Sequence, residues 1–125
     1  MSADRITDGH RIAQLLASEL ESGASHDALA VTDADPDVEP APEGALAYRV
    51  LDTERDERVA TVYVQPDRVR VEFRTAPVAV ADAAEEQGLR VRPKASQPPR
   101  TIVFVEDGAG VKRVIPAFGA AVAAD

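Results

Sequence analysis

Apolar residues along this chain recur first at helical spacing and then by alternation. Ile12, Leu15, Leu16 and Leu20 share one helix face, which Ala13 and Ala17 widen. Thr7 or Asp8 can cap its start and Gly23 can end it, while Glu19 and Glu21 fall on the outer side. So wide a stripe calls for a sheet to cover. Leu29 to Val31 reads as a short strand. Residues 32–44 carry Pro36, Pro40 and Pro42 among five carboxylates, which predicts an acidic, mobile surface loop. Three strands are predicted next, over 46–51, 58–64 and 69–74. In the last, Val69, Val71 and Phe73 alternate with Arg70, Glu72 and Arg74, the period of a sheet with one face in the core. DTERDER and Gln65-Pro66-Asp67-Arg68 supply the turns between them.

The pattern then returns to a helix over 75–89, with Pro77 in its first turn and Gly88 at its stop. Its expected buried face is Val78, Ala81 and Ala84 or Ala83. Residues 89–92 are extended, a proline-rich bridge follows, and TIVFVE (101–106) is the most hydrophobic strand. DGAG reads as the turn of a hairpin to a further strand, VKRVIP (111–116). Residues 117–125 are expected to be a frayed tail or a short helix. The expected fold is α+β, one domain over residues 1–125, with a mostly antiparallel sheet of five to six strands and two helices packed on one face.

Composition narrows the chemistry. There is no cysteine, so thiolate sites and disulfides are excluded, and two histidines, His10 and His26, are too few for a closed zinc site. Asp33, Asp35, Asp37 and Glu39 open like a calcium loop. The sixth position, however, holds Val38 where glycine is needed, and the twelfth holds Gly44 where a bidentate glutamate belongs. No glycine-flanked nucleophile and no glycine-rich phosphate loop is present. The reading is therefore non-enzymatic, with no catalytic residue, metal or cofactor assigned. No apolar run reaches membrane-spanning length, and MSADRITDGH lacks the apolar segment of a signal peptide, so a cytoplasmic protein without membrane contact is expected.

Charge adds the one lead. The net charge is −8, yet residues 1–57 hold 4 basic and 14 acidic side chains, whereas 58–125 hold 10 basic and 8 acidic. Arg90, Arg92, Lys94 and Arg100 crowd the stretch GLRVRPKASQPPR. Arg90 and Arg92 point to one side of their strand, as do Arg68, Arg70 and Arg74 on theirs. If those strands present the same face, its wet side carries an arginine lattice suited to carboxylate or phosphate. The partners considered are a second copy, an acidic protein, or an anionic ligand or RNA. Nucleic acid is the least favoured, because aromatics are few and most fit core positions. The competing reading gives the arginines ordinary surface pairs with Glu72, Glu85 and Glu86.

DRITDGHRIAQLLASELE, YVQPDRVRVEF and RVRPKASQPPRTIVFVEDGAGVKRV together resemble small, uncharacterised haloarchaeal proteins of about this length. The resemblance implies a salt-rich archaeal cytoplasm, where dense carboxylates keep a protein hydrated. It carries over no functional residue. The expected function is a protein-interaction or self-association module, with an anion- or RNA-binding arginine face as the alternative.

Overall fold

The computed structural model describes residues 6–22 and 28–123. Helix α1 (Gly9–Glu21) leads into β1 (Leu29–Thr32), β2 (Ala45–Asp52), β3 (Glu57–Gln65) and β4 (Arg68–Phe73). Helix α2 (Pro77–Glu86), β5 (Arg90–Lys94), β6 (Arg100–Val105), α3 (Ala109–Arg113) and α4 (Ile115–Ala123) follow. The strands form one sheet in the order β1-β2-β3-β4-β6-β5, every neighbouring pair antiparallel. The fold is the expected α+β type. The passage β4–α2–β5 steps over β6, which inserts between them. Gly23 and His26 lie outside the described residues.

Register sorts the sheet into two sets of side chains, because directly paired residues of an antiparallel ladder point the same way. One set runs through Val31, Val50, Ala60, Phe73, Thr101 and Pro93. Its next row is Tyr48, Val62, Val71, Val103 and Val91. Most of these are fully buried and form the core with Ile12, Leu16 and Leu20 of α1. Each such helix side chain contributes roughly 1.5–3 kcal/mol relative to exposure. Helices reach this set directly. The Tyr48 hydroxyl donates to Ala13 O at 2.8 Å, Phe118 of α4 packs edge-on against Phe73 with centroids 4.8 Å apart, and the Thr101 hydroxyl donates to Pro77 O at 3.0 Å.

The start of α1 shows why its first residue is glycine. Asp8 caps the helix by accepting from His10 N at 3.0 Å. Gly9 N donates to Pro66 O at 3.2 Å. A side chain at Gly9 would run into the carbonyl oxygens of Gln65 and Arg68, so only glycine lets the helix come this close to the β3–β4 turn. The acidic loop is tied down at both ends. Asp35 N donates to Ala47 O, Ala41 N to Val64 O, and Val38 is buried in the core. The calcium-like order of carboxylates therefore spaces a hydrophobic plug rather than a cation cage.

Two expectations need correction. Residues 111–116 are not a hairpin strand. Asp107 accepts from Gly110 N at 2.9 Å, as a helix-starting aspartate does, and the chain turns into α3 and α4. Val111, Val114, Ala117, Phe118 and Ala121 are all buried, at spacings of three, four and seven that match a helix. Pro116 is accommodated within the first turn of α4. Residues 117–123 accordingly take the helical alternative and carry core residues, so they are not a frayed tail. Secondly, α2 buries Val80 and Ala84, while Val78 is 73% exposed. Apolar residues at 78–81 and 83–84 leave the helix phase open, and packing against α4, β5 and β6 selects the 80/84 stripe.

Candidate functional site

The second set of sheet side chains holds the charge. Its longest row is Thr32, Arg49, Thr61, Glu72, Ile102 and Arg92, from β1 across to β5. The adjacent row is Leu46, Tyr63, Arg70, Phe104 and Arg90. Gln65 pairs with Arg68 beyond it, and Arg100 with Lys94 on the other side. Successive rows are about 7 Å apart along the strands. Six of the seven cations expected at a site, Arg68, Arg70, Arg90, Arg92, Lys94 and Arg100, thus belong to one face. Arg74 does not join a row. It follows the end of β4, with its N–H bonded to Val59 O at 2.8 Å. Arg49, unremarked in the sequence, takes its place on β2.

Glu72 organises this face. Its side chain is 4% exposed, with Arg70 Nε at 3.3 Å from one oxygen and Lys94 Nζ and Arg100 Nη1 at 3.4 and 3.5 Å from the other. The Arg70 contact is at ion-pair distance but outside hydrogen-bond geometry. From the sequence, Glu72 reads as a member of ordinary surface pairs. The structure instead makes it a buried counter-charge that joins β4, β5 and β6.

The remaining cations lie over apolar residues. Arg70 sits 4.5 Å above the Tyr63 ring and donates to Glu43 O at 3.0 Å. Arg68 sits 4.2 Å above Phe104 and donates from Nε to Gln65 Oε1 at 2.8 Å. Such stacking adds about 0.5–2 kcal/mol per pair. The arginine stems explain why Thr61, Ile102 and Phe104 are buried on a charged face. Arg49 reaches Asp33 at 3.2 Å, and Arg68 reaches Glu106 at 3.8 Å, so loop carboxylates meet the face at its margins. Arg90 and Arg92 are exposed on the outer strand β5, with no ion-pair partner among the described residues. Glu85 and Glu86 make no ion pair among those residues either.

Elsewhere, His10 lies in the first turn of α1 with Nε2 3.1 Å from Pro36 O, which ties the helix to the acidic loop. Among the described residues no group of three or more His, Asp or Glu is placed to hold a metal ion, and no helix is long and apolar enough to cross a membrane.

This chain belongs to a family of unknown function, DUF7993, whose model matches residues 1–125. Comparison with curated proteins and with solved structures returned no match.

Proposed function

We propose that the protein is a non-enzymatic interaction module that docks an acidic protein surface through the charged face of its sheet. The observation that carries this reading is the count along the register rows. Among the described residues eight cations, Arg49, Arg58 (paired with Leu51), Arg68, Arg70, Arg90, Arg92, Lys94 and Arg100, share the rows of this face with one carboxylate, Glu72, in a chain of net charge −8. The helix contacts of Ala13, Phe118 and Pro77 all reach the core set, which supports reading the charged face as available to a partner. Guanidinium groups favour planar carboxylates, to which they can donate two parallel hydrogen bonds. The stacked rings hold Arg68 and Arg70 in place before binding, which lowers the entropy lost on docking. On the same reading, the acidity of the rest of the chain is an adaptation to a salt-rich archaeal cytoplasm.

An RNA reading has less support. Single-strand binders offer bare aromatic faces to bases. Here Tyr63 and Phe104, the two aromatic rings on the charged rows, already carry guanidinium groups. A titration of the full chain with polyglutamate and with single-stranded RNA of equal charge, from about 0.05 to 0.5 M salt, separates the two. The docking reading expects polyglutamate to bind at least as tightly as RNA, with an affinity that falls roughly tenfold or more across the series. RNA binding much more tightly, with loss of that advantage in Tyr63→Ala, would replace it.

A further inference from the structure

We infer that the acidic segment docked by this face carries an apolar side chain that seats in the groove between α2 and β5. The inference rests on the docking reading above and narrows the partner to an acidic segment with an apolar anchor. β5 is the outer strand of the sheet, and its residues alternate between two surfaces. Arg90, Arg92 and Lys94 belong to the charged rows. Val91 and Pro93 belong to the other set, and on that side they meet a groove of about 670 Å³. Pro77, Val78, Ala81, Ala95 and Pro99 complete its apolar lining, and Lys94 and Arg100 also border it. The groove and the charged face therefore share two cations and one strand, so a single bound segment can engage both.

The groove has the makings of an anchor pocket. Val78 is the one large hydrophobic side chain exposed among the described residues, and it lines this groove. Hydrophobic anchors in a pocket bordered by polar groups carry much of the binding energy in protein interfaces. Charge fixes the orientation of the occupant. Asp82 and Glu85 line the α2 wall, and Lys94 and Arg100 line the opposite one. The charged ends of Lys94 and Arg100 lie 3.4 and 3.5 Å from Glu72, on the charged face, while Asp82 and Glu85 repel a carboxylate from the groove, so acidic side chains stay on the charged face while an apolar side chain faces Val78 and Ala81. Proline at position 93 removes a backbone donor from the outer strand and blunts open-ended strand addition. Recognition consequently falls to side chains. An apolar anchor also answers a weakness of ionic docking, since at 1 M salt charges are screened beyond about 3 Å while apolar burial persists.

The test uses the full chain and synthetic peptides of about twelve residues that alternate Glu and Ser, with each Ser replaced in turn by Leu. Binding is read by fluorescence anisotropy at low and high salt, with Val78→Asp as the groove variant, an exposed position that leaves folding intact. At least one Leu peptide is expected to bind roughly tenfold or more tightly than its Ser parent. Val78→Asp should erase that gain, the electrostatic effect of the added charge being read from the Ser parent on the same variant. Equal affinity for all Leu and Ser peptides, or a gain untouched by Val78→Asp, overturns the groove while the docking reading stands. No binding of any peptide at low salt overturns the docking reading itself. Sedimentation of the same two proteins excludes another occupant: a dimer that becomes a monomer in Val78→Asp would assign the groove to a second copy and overturn the inference.

Discussion

Glu72→Gln separates what the charged face contributes to stability from what it contributes to binding. The substitution keeps the volume of the side chain and removes the one negative charge held among Arg70, Lys94 and Arg100 at 3.3–3.5 Å. Loss of one partner of a fully buried ion pair costs about 3–5 kcal/mol, and loss of an exposed pair about 0.2–1. Glu72 is at the buried limit with 4% exposure, whereas its three cations are 21–47% exposed and regain water when the charge is gone. The expected cost lies between the limits, at about 2–3 kcal/mol. For a 125-residue chain that lowers the midpoint of thermal unfolding by about 8–12 °C. Urea unfolding is the suitable assay, because an uncharged denaturant leaves the ion pairs unscreened. Polyglutamate binding should move the other way, becoming tighter as the face gains one net positive charge. A stability change below about 0.5 kcal/mol would refute the role given to Glu72 as a counter-charge, and weaker polyglutamate binding by a folded variant would refute the electrostatic account of the face.

Other substitutions test the architecture behind it. Phe118→Ala empties a fully buried site against Phe73 and should cost about 3–5 kcal/mol in urea unfolding; a near-neutral result would contradict the packing of α4 on the core. Gly9→Ala forces a methyl group against the backbone carbonyls of Gln65 and Arg68 and should destabilise by about 2 kcal/mol or more, although alanine is the better helix former. Burial, with a smaller contribution from the negative charge of Glu21, pushes the Tyr48 phenol well above its ordinary pKa near 10. The unfolded chain then ionises at this position above pH ~10 while the folded chain does not, so the neutral-state stability is lost progressively as pH rises past that point. Tyr48→Phe should cost about 1 kcal/mol at neutral pH, through the lost bond to Ala13 O, and should flatten the alkaline decline seen in urea midpoints.

The elements with a clear period were legible in the sequence, and those without one were not. In β4, Val69, Val71 and Phe73 alternate with long charged residues, and the structure places the two kinds on opposite sets. In α2, alanine and valine occupy nearly every early position, so only contact with α4 decides that Val80 goes in and Val78 stays out. The C-terminal helices did leave a trace, in the helical spacing of Val111, Val114, Ala117, Phe118 and Ala121. The glycines of DGAG favour a turn and mask Asp107 as a helix start. The charged face was half legible. Alternation within a strand assigns Arg90 and Arg92 to one side, but whether they share a face with Arg70 depends on β6 lying between β4 and β5. That long-range pairing also brings in Arg49 and buries Glu72, neither of which a single strand reveals.

The central claim is that position on this face, rather than overall charge, binds an acidic partner. Polyglutamate affinity of Arg90→Glu/Arg92→Glu, measured at about 0.1 M salt beside Lys112→Glu/Arg113→Glu, tests it most directly. Both pairs are exposed, and both change the net charge equally. Reversal on β5 should weaken binding tenfold or more, while reversal on α3 changes it by less than about threefold. Equal losses from the two pairs, with both proteins folded, would contradict the account.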